Sequence, residues 1–319
     1  MKKITALLIG CIMIISLFGC SSNKNKYYVN FPTAGTSGSV YSLGATLANL
    51  WNENIDGIQV SAEASNGGVH NLVLMSEGDA KMGVAVTSII TQQKEGTDVF
   101  EGHQYDGARI ICSLYSNYNQ VVATEKSGIN TLEDIKGKRF APGAAGSTPE
   151  VETRIHLEAL GFDYPADISG QYVGFTEAVD LMRNQQLDGA WIQSALPVSA
   201  VSEMCSTAGG HLVPMTEELV EQLSQEYPWY NKSYIPAGTY DGQDQDILTT
   251  SLPITLIVDE SVPEEIVYQM TKLMWENIDT LKKSMGSLKN ATLEKATEGI
   301  GDIPLHPGAE RYYREMGVL

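Results

Sequence analysis

One order of elements occurs twice in this chain, and that recurrence constrains the fold more than any single motif. Tyr28 to Phe31 reads as a short strand and Gly35 to Ser39 as a turn. Val40, Leu43, Leu47, Leu50 and Trp51 then recur at helical spacing. Ile58 to Ala64 alternates like a strand, Asn66-Gly67-Gly68 is a second turn, and Val69 to Met75 starts a second helix. Lys81 to Val86 is a short apolar strand ending in Thr87-Ser88. A similar order returns about 107 to 108 positions later. Lys138 to Ala141 is a strand, Pro142 to Thr148 (PGAAGST) a turn, and Pro149 to Leu160 a helix. Tyr172-Val173 is a strand, Thr176 to Asn184 a helix, and Asp188 to Ile192 a strand ending in Gln193-Ser194. Gly38-Ser39 matches Gly146-Ser147 in this register. Alternating strands and helices indicate an α/β sheet of mostly parallel strands. The recurrence indicates two lobes, each with a glycine/serine turn at a helix N-terminus.

Two long segments connect the lobes. Ile110 to Thr124 (IICSLYSNYNQVVAT) is extended, with apolar halves around a polar middle, and Thr249 to Asp259 reads as a return strand. The expected division is 27–118 plus 258–319 for lobe I and 119–257 for lobe II. A long C-terminal helix is expected over Glu264 to Leu281, with Ile266, Val267, Met270, Leu273, Met274 and Ile278 on one face.

Residues 1–19 read as a leader. Lys2 and Lys3 form a positive n-region, and Ile4 to Phe18 an apolar run short for a membrane span. Leu17-Phe18-Gly19-Cys20 resembles a bacterial lipobox, with Cys20 as the acylated first residue of the mature chain. The alternatives are an uncleaved anchor or an ordinary signal peptide. Residues 20–26 are then a lipidated cysteine and a polar tether. Of the other cysteines, Cys11 leaves with the leader. Cys112 and Cys205 form either one bridge or two buried thiols; two cysteines so far apart make no disulfide framework and favour thiols.

The formal charge of −18 argues against a nucleic-acid partner, which calls for a clustered basic patch. It also provides no general attraction for anions, so any anion site must be local. Enzyme motifs are missing: there is no G-x-S-x-G, H-E-x-x-H, Walker A or G-x-G-x-x-G. His70, His103, His156, His211 and His306 show no metal-ligand spacing and read as ordinary surface or hydrogen-bonded residues. Carboxylates are plentiful but no pair stands out, and an acid–base pair assembled from distant positions stays open; no catalytic residue, metal or cofactor is expected.

The turns carry the binding chemistry. A helix N-terminus leaves four backbone N–H groups unpaired, and its dipole favours negative charge. Gly35, Thr36, Ser37, Gly38 and Ser39 fit this on lobe I, and Ser147 and Thr148 on lobe II. Ser147-x-x-Glu150 reads equally well as a plain capping box, with Pro149 suited to the first turn. Ligands of open α/β sheets bind at the C-terminal ends of strands, which adds Thr87, Ser88, Trp191 and Gln193. Core packing is the other reading of Trp191. Tyr115, Tyr118 and Asn119 lie on the crossing segment, and Asn66 and Asn71 flank the second turn.

Six stretches resemble, in order, the TAXI group of extracytoplasmic solute receptors of TRAP transporters: GTSGSVYSLGATLANLWNE, VSAEASNGGVHNLVLMSEGDAKMGVAV, TLEDIKGKRFAPGAAGS, VGFTEAVDLMRNQQLDGAWI, IPAGTYDGQDQDILTTSLPITLIV and PLHPGAERYYREMG. The resemblance implies the type II periplasmic-binding-protein fold, with two α/β lobes, two crossing strands and a ligand between them. It implies a fused TRAP membrane permease as partner, an ion gradient as driving force, and an extracytoplasmic, lipid-anchored location. Known ligands of the group are small carboxylates such as glutamate or 2-oxoglutarate. Gly35 to Ser39 and Tyr41 match the group's first ligand-facing loop, Asn66, Gly68 and Asn71 its second segment, and Ser147 and Thr148 its second-lobe loop. Many members have Gln-Ser-Asp where this chain has Val86-Thr87-Ser88. The usual Gly-Ser-Gly-Thr is absent from Gly143-Ala144-Ala145-Gly146-Ser147-Thr148. The missing Asp removes a partner for an ammonium group and favours a simple carboxylate over an amino acid. The expected function is thus delivery of a small organic anion to a permease. The rivals are the binding lipoprotein of an ATP-driven importer, a surface lipoprotein without a small ligand, and an enzyme on the same fold.

Overall fold

A computed structural model describes residues 26–36, 38–227 and 229–319. Cys20, the leader, most of the tether and Ser37 lie outside these. Strand β1 (Tyr27–Pro32) pairs in parallel with β2 (Ile58–Glu63), and helix α1 (Ser39–Asn54) crosses between them. Val40, Leu43, Leu47, Ala48 and Trp51 form the buried face of α1. Gly44 lies against β1, where a Cβ would stand 3.4 Å from the Phe31 ring and collide with the Thr33 methyl. Then follow α2 (Gly68–Glu77), β3 (Met82–Val86) and α3 (Thr87–Glu95).

The 17-residue strand β4 (Ala108–Thr124) leaves this lobe. The second lobe contains β5 (Arg139–Ala141), α4 (Thr148–Ala159), β6 (Ser169–Gly170), α5 (Phe175–Arg183) and β7 (Gly189–Ser194). It continues with α6 (Ser199–Ala208), β8 (Gly210–Val213), α7 (Glu217–Glu226) and β9 (Asn231–Ile235). Strand β10 (Ile247–Asp259) returns, and α8 (Glu264–Glu276), α9 (Ile278–Ser284) and α10 (Pro307–Glu315) end the chain.

Among the described residues eight strands form one sheet in the order β3-β10-β4-β7-β5-β6, with β8 beside β4 and β9 beside β10. The two long strands pass from lobe to lobe. Residues 108–118 of β4 pair with β10, and residues 118–124 pair with β7 and β8. Residues 247–251 of β10 pair with β9, and residues 254–258 with β3. Every ladder that β4 and β10 form with another strand is antiparallel, so the sheet is mixed rather than mostly parallel. Strands that cross out and back must oppose each other. The parallel pairs, β1–β2, β5–β6 and β5–β7, stay inside the lobes.

Three local expectations are corrected. Tyr172-Val173 is irregular; the short strand is Ser169–Gly170, and the chain turns away where Val173 N–H donates to Gln171 O. The C-terminal helix is not continuous to Leu281. It breaks at Asn277, whose side-chain amide donates to Leu273 O in competition with the helix. Thr87-Ser88 does not merely end a strand; it opens α3. Both thiols are free, Cys112 buried and Cys205 only partly so. Cys112 lies against Met274 in the core, and burial pushes its thiol well above the usual range.

Candidate functional site

A cavity of about 140 Å³ lies where the lobes meet. From lobe I it is lined by Thr33 to Gly35, Gly38 to Val40, Ser65 to Gly68 and Val84 to Val86. From lobe II come Ala144, Ser147 to Pro149, Gly174, Phe175, Gln193 and Ser194, and the crossing strands add Asn117 and Ile254. No lining residue has a charged side chain.

The recurrence explains why these segments meet. Each strand–turn–helix unit delivers a helix N-terminus to the end of its strand. The N-cap residues of five helices line the cavity: Gly38 of α1, Gly67 of α2, Val86 of α3, Ser147 of α4 and Gly174 of α5. Only Ser147 caps with its side chain, accepting from Glu150 N–H at 3.4 Å. The other four N-caps make no side-chain cap bond. Unpaired first-turn N–H groups and five positive dipole ends thus converge on a site without a cation.

Three buried side-chain atoms of the lining lack partners: Asn117 Oδ1, Thr148 Oγ1 and Gln193 Nε2. Their residues are only 4, 5 and 6% exposed, so desolvation is nearly complete and each atom costs about 1–3 kcal/mol while unpaired. Such atoms are expected where a ligand completes the bonding.

Glycine sets the shape of the walls at two places. A Cβ on Gly68 would lie 2.8 Å from Thr148 Oγ1 and 3.2 Å from Ala85 Cα, so only glycine lets the lobes approach there. Gly143 has φ +124°, and a Cβ there would meet Glu150 N at 2.8 Å.

The structure brings together eight of the residues predicted from sequence: Gly35, Gly38, Ser39, Asn66, Gly68, Ser147, Thr148 and Gln193. Ser37 lies outside the described residues. Thr36 is exposed and Tyr41 half-buried, both off the lining. Asn71 is a buried clamp whose amide donates to Thr33 O at 2.7 Å and Val84 O at 2.8 Å. Thr87 donates to Gly299 O in the C-terminal segment. Tyr118 lies in a wider groove elsewhere on the crossing strands. Tyr115 stands behind the cavity, its hydroxyl 3.2 Å from Ser39 Oγ, and burial pushes its phenol up to about 12.

Trp191, Ser88 and Asn119 belong to a buried network beside the cavity rather than to its wall. Trp191 Nε1 donates to Asn119 Oδ1, and Asn119 Nδ2 donates to Thr250 Oγ1 and Glu152 Oε2. Tyr230 also donates to Glu152 Oε2, at 2.8 Å. The second oxygen of Glu152 has no partner in hydrogen-bond geometry, and the nearby Ser88 hydroxyl acts to lower the carboxyl. Burial raises Glu152 to about 7, and the hydrogen bonds of Tyr230 and Asn119 oppose that only in part. His156 is packed between Trp191 and Tyr230 and donates from Nδ1 to Glu152 O at 2.7 Å. Its Nε2 is left to accept from Thr250 Oγ1, and burial lowers the imidazole to about 4.

Sequence reasoning missed Asn117, Ser194, Ser65 and Phe175. Strand alternation held the signal for Asn117, which shares a face with the chosen Asn119. Phe175 follows the N-cap Gly174 of the unit's second helix, the counterpart of the Gly67-Gly68 turn. Among the described residues no cluster of three His, Cys, Asp or Glu side chains could hold a metal.

Two lobes, two crossing strands and an interlobe cavity define the type II periplasmic-binding-protein fold. Solved structures share it. A putative L-cystine ABC transporter protein from Listeria monocytogenes superposes with a TM-score of 0.51 at 12% identity, covering 82% of this chain and 96% of that one. A protein from the glutathione-import system of Streptococcus mutans gives 0.51 at 10% identity, with the same coverage of 82% and 96%. The chain belongs to the NMT1-like family, which matches residues 31–317.

Proposed function

We propose that this protein is an extracytoplasmic solute receptor that closes over a small organic anion and passes it to a membrane permease. One observation carries the reading: five helix N-termini and three unpartnered buried polar atoms face one uncharged interlobe cavity. An anion there gains N–H donors from both lobes at once, and the closed form needs only that differential contact to dominate. The lipobox-like Cys20 supports attachment to the outer face of a membrane. The TAXI-like order of motifs supports a TRAP-type permease driven by an ion gradient.

The test is a thermal-shift screen across carboxylates, oxo-acids and amino acids. Binding raises the unfolding midpoint by mass action. Ser39→Ala and Ser147→Ala should each weaken the response while keeping the fold. No response to any anion sinks the receptor reading.

A second reading, the binding protein of an ATP-driven importer, is favoured by the likeness of fold to the Listeria protein. Uptake by vesicles containing the cognate permease separates the two. An ion gradient drives the first, and ATP hydrolysis the second.

A further inference from the structure

We propose that the solute is a short-chain monocarboxylate without an ammonium group, of the size of lactate. This rests on the cavity being the solute site. The cavity holds about 140 Å³. An apolar protein cavity of about 150 Å³ accepts benzene, a molecule of about six heavy atoms. Lactate and pyruvate match that size; glutamate and 2-oxoglutarate are about two-thirds larger.

An α-ammonium buried here would meet no carboxylate, because the lining contains none, and an unpaired buried ammonium is strongly disfavoured. The buried acid Glu152 is outside the lining: its Oε2 is held by Tyr230 and Asn119, and its partnerless Oε1 is no part of the cavity wall. Five dipole ends instead favour one negative charge.

The cavity wall is divided in two. Val40, Val84, Val86, Phe175 and Ile254 give it an apolar part. A methyl or ethyl end suits that part; a second carboxylate would be desolvated against it. The polar part has Gln193 Nε2 and Thr148 Oγ1 as donors and Asn117 Oδ1 as an acceptor for one hydroxyl. A carboxylate with one neighbouring hydroxyl fills all three.

Calorimetric titration of the purified protein tests this with matched probes: L-lactate, L-alanine, lactamide and 2-oxoglutarate. L-Alanine replaces the hydroxyl of lactate by an ammonium, and lactamide removes its charge. L-Lactate should bind at least about tenfold more tightly than each of the other three. Gln193→Leu should reduce lactate affinity about tenfold or more, with an unfolding midpoint no lower than that of wild type showing that the fold is intact. Tighter binding of 2-oxoglutarate overturns the size class and leaves the receptor reading standing. Equal binding of L-alanine overturns the charge argument alone. Equal binding of lactamide overturns the anion. Failure of all four probes, with a positive response elsewhere in the anion screen, overturns this class but not the receptor; failure there too overturns both.

Discussion

A Cβ added to Gly68 would stand 2.8 Å from Thr148 Oγ1, across the line where the lobes meet. Gly68 opens α2 of the first lobe and Thr148 opens α4 of the second. Gly68→Ala therefore acts as a wedge. Overpacking of this kind costs about 1–3 kcal/mol. Part of it should fall on closure, since the lobes can separate without unfolding, and part stays within the first lobe, where Ala85 Cα lies 3.2 Å from the added carbon. Solute affinity should drop roughly 5- to 150-fold by the same energy. The unfolding midpoint without solute should fall only modestly, by the share of the overpacking that Ala85 takes inside the first lobe. Small-angle scattering with solute should give a larger radius of gyration than wild type; an equal radius and equal affinity would show that the contact does not govern closure.

A second interlobe contact is electrostatic. Arg154 of α4 forms an ion pair with Asp98, which follows α3, and both side chains are about one-fifth exposed. Partial exposure limits such a pair to about 1 kcal/mol. Asp98→Asn should weaken solute binding a few-fold, and added salt should weaken wild type more than the variant. Salt dependence that is identical in both proteins would remove the latch from the account.

Glu152 and His156 give opposing pH signatures. Burial holds the folded-state carboxyl near 7, above its ordinary 4.5. Below about 4.5 it is protonated in both states and costs nothing. As pH rises from 4.5 to 7, only the unfolded chain releases the proton, so the folded state loses up to ~3 kcal/mol. His156, lowered from 6.5 to about 4, costs stability as pH falls through that range. The two slopes nearly cancel between about 4.5 and 6.5. Glu152→Gln removes one of them. Denaturant unfolding at several pH values should show the variant gaining on wild type steadily from pH 4.5 to 7. A pH-independent difference would mean that Glu152 is already ionised in the fold.

Cys20→Ser should abolish acylation and release the protein from the membrane. Metabolic labelling with a fatty-acid probe, followed by fractionation, reads both. A variant that stays labelled and membrane-bound contradicts the lipobox reading.

Much of the architecture is legible because it rests on periodicity. The apolar stripe from Val40 to Trp51 and the alternation of Ile58 to Ala64 stand within a residue or two of α1 and β2. The run from Ile110 to Thr124 is legible as one extended crossing because its apolar halves flank a polar middle. The local competition at Asn277 leaves no mark on the apolar stripe, so the helix break is hidden. The turn residues of the candidate site are legible because glycine and hydroxyls before a helix have a physical use. Trp191 and Asn71 are not assignable in the same way. A polar or aromatic side chain at a strand or helix end can turn toward the cavity or into a buried network, and the partners that decide this are distant in sequence. Asn71 finds Thr33 and Val84, and Trp191 finds Asn119.

The central claim is that the interlobe cavity is built for a solute, at some expense to the protein without one. Thr148→Val tests it directly. Valine has nearly the same shape but lacks the hydroxyl, whose oxygen is buried and unpartnered. Removing an unsatisfied buried group should stabilise the solute-free protein by about 1 kcal/mol. The same change should weaken carboxylate binding about tenfold, because one donor is lost. The measurement is the unfolding midpoint without solute and the calorimetric affinity with it, for both proteins. A higher midpoint with lower affinity is the predicted result. A lower midpoint with unchanged affinity would contradict the account, because the hydroxyl would then be structural.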